Sequence, residues 1–311
     1  MEGAVTVDLQ ALLTDVDGDV ADELSHMPEV VEKGDALDVD DLPIAVRRWH
    51  RVDEVVAVVA DLKSSTRIGL NKQPASIASI YEASTGGVVQ IFDEFDADFV
   101  AIQGDGAFGL FWGERRFERA VCAGITIKTF SARHLVTRLE NKWPDSLPET
   151  GLKVGVAASP VLVKRVGVPR SEHQEPVWAG RAVNYAVKAA QQADRHQMLV
   201  AGSIWDWASS NDYLAVSCPH GASSASIWQD VTLDHVPCED AEREGKILTS
   251  QWCEEHGPAY CAAVLAGETY RDDAHEEVAK AVAREAIDVV RAKARQDRAN
   301  FRNRMRGLSG R

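Results

Sequence analysis

The run Val-Asp-Glu-Val-Val-Ala-Val-Val-Ala-Asp at 52–61 constrains the fold more than any other part of the chain. A continuous valine-rich run of this length reads as a buried central strand. It ends in Asp61, and a carboxylate at the end of a buried strand is costly unless something charged meets it. Residues 75–94 then carry helical spacing in Ile77, Ile80, Tyr81, Val88, Ile91 and Phe92, with Gly86-Gly87 weakening the middle. Phe99 to Ile102 and Ala107 to Phe111 read as two strands, joined at Gln103-Gly104-Asp105-Gly106 by glycines that suit a tight hairpin turn. The spacing predicts a helix over 114–136, a strand over 152–166 (or a hairpin broken near Pro160), a helix over 180–193 and a strand at 198–201. This order is an α+β pattern, with helices packed on one face of a mainly antiparallel sheet. The expected division is an acidic leader at 1–45, a main domain at 46–205, and a satellite region with a long charged helix at 206–311, making an α-rich C-terminal extension.

Charge narrows the range of partners. The formal net charge is −14, and a phosphate backbone needs a basic surface, so nucleic acid is excluded as the main partner. Residues 1–43 hold Asp15, Asp17, Asp19, Asp22, Glu23, Asp35, Asp38, Asp40 and Asp41 against Lys33 alone, whereas Arg291, Lys293, Arg295, Arg298, Arg302, Arg304, Arg306 and Arg311 make the far end basic. A disordered leader and a solvated helix are the plain expectation. The sharper one is that the tails touch each other or a second subunit. No apolar run reaches the ~20 residues of a membrane span, and no secretory signal pattern opens the chain, so a soluble, cytoplasmic protein is expected. Five cysteines, an odd number, argue against a disulfide framework.

Three motifs carry chemistry. Asp61 is followed by Leu62-Lys63-Ser64-Ser65-Thr66-Arg67, whose small polar residues offer N–H groups and hydroxyls suited to phosphates. Asp105 sits between two glycines at a hairpin tip. Two such aspartates side by side repel unless they share cations, and Mg²⁺ favours a few carboxylates plus substrate phosphates. In Gly180-Arg181-Ala182-Val183-Asn184-Tyr185-Ala186-Val187-Lys188, Asn184 and Lys188 share a helix face. An amide there can orient a ribose oxygen, and a cation can neutralise charge growing on a phosphoryl oxygen.

With Gly155 in Lys-Val-Gly-Val and with Met198-Leu199-Val200, these motifs resemble, in order and over residues 52–205, those of class III adenylate and guanylate cyclases. The resemblance implies a ferredoxin-like palm domain. It also implies two Mg²⁺ or Mn²⁺ ions per site on Asp61, Asp105 and the Leu62 carbonyl, with triphosphate contacts from Lys63, Ser64, Ser65 and Thr66. Asn184 and Lys188 are then the catalytic pair, acting across a head-to-tail homodimer with sites at the interface.

The departures are informative. Where adenylate cyclases carry a purine-selecting Lys, four residues before the second metal Asp, this chain has Ala101. The acidic partner expected three residues before the motif glycine is Val177, followed by bulky Trp178. Lys188 replaces the family's transition-state Arg, keeping the charge and losing the bidentate fork. Lost purine readers beside retained metal and phosphate machinery are similar to the pyrimidine cyclases of bacterial Pycsar antiphage systems. That likeness implies UTP as substrate, cyclic UMP as product, and a separate effector protein reached through the cyclic nucleotide. CTP is the nearest rival, ATP or GTP follows, and a catalytically silent nucleotide-binding or dimerisation module is the alternative of a different class.

Two further patterns stand apart from this chemistry. Asp15-Val-Asp17-Gly-Asp19 begins like a calcium loop, but Val20 and His26 stand where its glycine and closing glutamate belong. Cys218-Pro-His220 and Cys253-Glu-Glu-His256, with Cys238 and Cys261 nearby, would suffice for a structural zinc site. Inert cysteines in a small satellite core are the commoner case.

Overall fold

The computed structural model describes residues 6–42, 47–70, 72–167, 174–220 and 227–284, together with 286, 287, 290 and 293. The chain forms two compact units: Met1–Asp53 with Leu162–Ala179, and Glu54–Val161 with Gly180–Arg311.

In the first unit, Asp8 caps helix α1 (Leu9–Ser25) by accepting from the Ala11 N–H at 3.0 Å. The acidic leader expected to be disordered therefore contains a helix, although none of its residues is buried. Strand β1 (Glu29–Glu32) runs parallel to the start of β2 (Arg48–Leu62), in register Glu29↔Arg48 to Glu32↔Arg51. Arg48 pairs with Glu29 at 2.8 Å and Arg51 with Glu32 at 3.2 Å, so leader acids are neutralised by the strand beside them.

The second unit is built on one sheet and holds helices α2 (Ser65–Ile68), α3 (Pro74–Glu94), α4 (Arg116–Phe130), α5 (Val136–Lys142) and α6 (Arg181–Gln192). Its strands are β3 (Phe99–Gln103), β4 (Gly106–Phe111), β5 (Leu152–Gly167), β7 (Met198–Val200), β8 (Trp228–Thr232) and β9 (Glu244–Leu248), with β6 (Gln174–Gly180) pairing off the main path on β5. The order is β3-β4-β2-β5-β7-β9-β8. β2–β4, β3–β4, β7–β9 and β8–β9 are antiparallel and β5–β7 is parallel, which bears out the α+β reading. Helices α7 (Gly202–Ala208), α8 (Asp212–Ala215) and α9 (Gly257–Ala266) complete the elements used below.

Strand alternation sorts the two faces of this sheet. Val56, Val58, Ala60 and Leu62 of β2 and Val154, Val156 and Ala158 of β5 enter one core with Val88 and Phe92 of α3 and Val121, Ile125 and Ile127 of α4. The odd-numbered residues of β2 and β5, including Asp61 and Gly155, face the other way. There the α6 backbone comes so close that a Cβ on Gly155 would lie 2.0 Å from the Ala186 carbonyl oxygen.

Three details differ from the sequence expectation. Helix α3 runs unbroken through Gly86-Gly87, because Gly87 leaves room for the Phe130 ring. β5 passes straight through Pro160 as one strand. Residues 228–248, expected in a satellite, add β9 and β8 to the sheet through the pairing of β9 with β7. Of the long C-terminal helix, 274–284 are helical, and the basic run past 290 lies outside the described residues except for Lys293.

Candidate active site

Asp61 is the penultimate residue of β2, and its strand partner across the sheet is the hairpin β3–β4, whose register with β2 ends at Ala60↔Ala107. A Cβ on Gly106 would lie 2.6 Å from the Ala60 carbonyl oxygen and 3.4 Å from Asp61 Cα. Only glycine tolerates that approach, and it sets the turn bearing Asp105 against Asp61. Backbone geometry thus places Asp105, one residue before Gly106, on the turn next to the end of β2. Leu62 is 2% exposed with its side chain in the core, which leaves its main chain as what it can offer the site.

Lys153 is a site residue that sequence reasoning missed. It lies on β5, on the same face as Gly155, and its Nζ sits 2.6 Å from Asp61 Oδ2. The signal was available: in Lys-Val-Gly-Val, period-two alternation places 153 and 155 on one face. A cation here offsets the cost of a carboxylate at the end of a buried strand.

The segment after Asp61 turns sharply, with Ser64 at φ +62°, a left-handed conformation costly for a residue with a Cβ. Ser65 opens the short helix α2 and Thr66 is exposed. Lys63 is engaged elsewhere, with Asp194 and with Glu149 (3.1 Å), and these carboxylates raise its pKa. Thr150 Oγ1 donates to the Lys63 carbonyl at 2.7 Å, tying this turn to the start of β5.

Ala101 pairs with Phe108 and Phe108 pairs with Val59, so the three form a row on Asp61's face of the sheet. Phe108 is buried and its ring lies 5.9 Å from that of Phe99. Val177 and Trp178 belong to β6 in the first unit, where Val177 is exposed and Trp178 half-buried.

Helix α6 buries Ala182, Tyr185, Ala186, Ala189 and Ala190, which leaves Asn184 and Lys188 on its outer side. Asn184 Nδ2 donates to the Gly180 carbonyl at 3.1 Å, and Lys188 Nζ lies 5.4 Å from the Tyr185 ring centroid. Tyr185 itself donates to Asp240 at 2.8 Å. Among the described residues, neither Asn184 nor Lys188 bonds to Asp61 or Asp105. The helix begins where Gly180 meets Pro160 and Val161 of β5, whereas Asp61 meets Lys153 of the same strand. From Gly180, α6 runs back along β5, and its backbone at Ala186 meets Gly155, two residues from Lys153.

No family model matches the chain. It is 66% identical over 302 residues to a uridylate cyclase of Micromonospora echinofusca, covering 97% of this chain and 99% of that one. It is 50% identical over 268 residues to a uridylate cyclase of Propioniciclava tarda, covering 85% and 86%. Among solved structures it is similar to the adenylyl cyclase CyaB of P. aeruginosa, with TM-score 0.48 and 12% identity over 64% of this chain and 93% of that one. It is also similar to the guanylate cyclase domain of RhGC from Catenaria anguillulae in complex with GTP, with TM-score 0.49 and 12% identity over 65% and 98%. Identity of this extent along nearly the whole length makes the chain a member of the uridylate cyclase family, and hence a nucleotide cyclase.

Proposed function

We propose that the chain converts UTP into 3′,5′-cyclic UMP and pyrophosphate, in a homodimer whose sites each draw on both subunits. The observation that carries the mechanism is the backbone approach of Gly106 to Ala60 and Asp61, which sets the turn bearing Asp105 beside the end of β2, where Asp61 meets Lys153. The uridylate cyclases at 66% and 50% identity support the choice of base. A role as second-messenger synthase in antiphage defence, acting through a separate effector, rests on the resemblance to the Pycsar cyclases.

Asp61, Asp105 and the Leu62 carbonyl are hard oxygen donors, and such a set fits Mg²⁺ or Mn²⁺ better than a softer ion. When bound, two such ions lower the proton affinity of the ribose 3′-hydroxyl and hold the triphosphate. Lys153 neutralises Asp61 in the free enzyme and presents its ammonium group to a phosphate oxygen once Asp61 is engaged elsewhere. Ser64, Ser65 and Thr66 supply hydroxyl and N–H donors to the phosphates, while the ion pairs of Lys63 hold that turn in place.

The 3′-oxygen attacks the α-phosphorus as its proton leaves. The bond from that phosphorus to the bridging oxygen breaks, and pyrophosphate departs with the electron pair. Lys188 of the second chain stabilises the charge growing on the phosphoryl oxygens, and Asn184 orients the ribose. Helix α6 packs its Ala182–Ala190 face on the sheet at Gly155 and leaves Asn184 and Lys188 on the outer side, which favours this sharing between subunits. In sequence, Ala101, Val177 and Trp178 stand at the positions where the resemblance puts the purine readers.

The test is incubation of the purified protein with Mn²⁺ and each of the four ribonucleoside triphosphates, with products identified by mass spectrometry. Cyclic UMP is the expected product. Cyclic CMP or a purine product would keep the mechanism and overturn the base assignment. No cyclic product from folded, dimeric protein would favour the silent module.

A further inference from the structure

Far from the aspartates along the sheet order, the loops that follow α8 and precede α9 bring together residues that the nucleotide chemistry does not use. Cys218, Cys253 and His256 each place a ligand atom within 4.8 Å of the others. Cys218 Sγ lies 3.1 Å from His256 Nδ1. For Zn–S bonds of about 2.3 Å and Zn–N bonds of about 2.0 Å, two ligands of a tetrahedral ion stand roughly 3.5 Å apart. The His220 ring is 4.6 Å from that of His256, and its Nδ1 is 3.0 Å from Glu255 Oε2. A carboxylate on one imidazole nitrogen fixes the ring and leaves the other nitrogen for a metal.

We propose that Cys218, His220, Cys253 and His256 form a structural Zn²⁺ site that ties the loop after α8 to the N-terminus of α9.

The structure separates these cysteines from the others. Cys238 bonds to Glu239 at 3.2 Å, and Cys261 pairs with buried Cys122, so neither belongs to the cluster. Two sulfur and two imidazole donors in tetrahedral array select Zn²⁺ over harder ions. Both cysteines bind as thiolates, so the centre is neutral overall and any proton a thiol still carries passes to solvent.

The surroundings brace the ligands. His256 stacks on Tyr260 at 5.5 Å, and Arg271 lies 4.9 Å from the Tyr260 ring centroid. Arg271 also donates to the Val216 and Ser217 carbonyls at 3.3 and 2.8 Å, which fixes the backbone leading into Cys218. These contacts orient both loops without reaching the nucleotide site, so the zinc is a fastener and the cyclase metals are separate.

The experiment is elemental analysis of the full chain, purified without a polyhistidine tag and dialysed against Zn²⁺ and then against metal-free buffer. The expected result is one zinc per chain in the wild type and in Asp105→Ala, and none in Cys218→Ser/Cys253→Ser. His220→Ala should bind zinc at least about tenfold more weakly. In case the double variant fails to fold, wild-type protein reconstituted with Co²⁺ gives an independent reading: thiolate-to-cobalt charge transfer and the d–d bands of a tetrahedral ion. The proposal is overturned by a wild-type chain that holds no zinc and gives no such bands. A double variant as zinc-rich as the wild type, or a Cys218–Cys253 disulfide in the native protein, would overturn it equally.

Discussion

The two flanks of the sheet collect their proposed metal ligands in opposite ways. At the β3–β4 flank, Asp61 and Asp105 are placed by backbone: strand register, a hairpin and the closeness of Gly106 to the Ala60 carbonyl. At the β9–β8 flank, Cys218, His220, Cys253 and His256 come from loops, and side chains such as Arg271 and Tyr260 hold them in place. Oxygen donors on a rigid turn suit ions that must exchange with each nucleotide. Sulfur and nitrogen donors on loops suit an ion that stays and supplies the rigidity itself.

That contrast can be broken most severely at the first flank. Asp105→Ala should lower cyclisation by about 10³-fold or more while the zinc content and melting temperature stay near the wild-type values. A matching loss of zinc would mean that the two flanks are not independent. Lys188→Ala should cost about 10²-fold or more. Mixing it with Asp105→Ala should restore part of the activity, since one of the two sites in a mixed dimer then keeps both of its halves. No recovery in mixtures that demonstrably exchange subunits would refute a shared site.

A residue of α4, between the flanks, sharpens the comparison as a control. Burial lowers the Lys128 pKa from 10.5 to about 8. Below pH 8 the lysine is charged in both states, and the folded protein carries the full cost of burying it. As pH rises from about 8 to 10.5 the folded chain sheds the proton while the unfolded chain keeps it, so stability increases. Lys128→Met should therefore stabilise by at most roughly 3 kcal/mol at pH 7, with the gain fading above pH 8 in denaturant melts. A gain independent of pH would point to packing rather than charge.

Gly106→Ala should cost about 1–3 kcal/mol through overpacking against the Ala60 carbonyl and lower activity by separating the aspartates, again without loss of zinc. The smallest effect concerns base choice. Trp178→Ala should shift the ratio of cyclic UMP to other products by only about fivefold, since Trp178 is half-buried and the weakest pocket contacts are worth ~1 kcal/mol. An unchanged ratio would remove Trp178 from the base pocket.

Much of the aspartate flank was legible in the sequence, because its information is local. A valine run ending in Asp61, a Gly-Asp-Gly turn and an Asn–Lys pair one helical turn apart each follow from short-range spacing. Lys153 was legible in principle through alternation, but its ion pair needs β5 beside β2, which is long-range knowledge. Helix α1 was missed because its acidic residues outweighed its spacing and cap, and β8 and β9 were missed because short edge strands carry weak patterns.

By itself, then, the sequence determined which segments become the central strands and helices and which side chains are the candidates for the chemistry, since hydrophobic period and turn residues act within a few positions of one another. Only the tertiary structure decided that the C-terminal segment extends the sheet, that Lys63 and Lys153 take opposite roles beside Asp61, and which two of the five cysteines meet His256. Those outcomes depend on contacts between residues far apart in the chain. Packing selects such contacts as a set, and no local pattern encodes them.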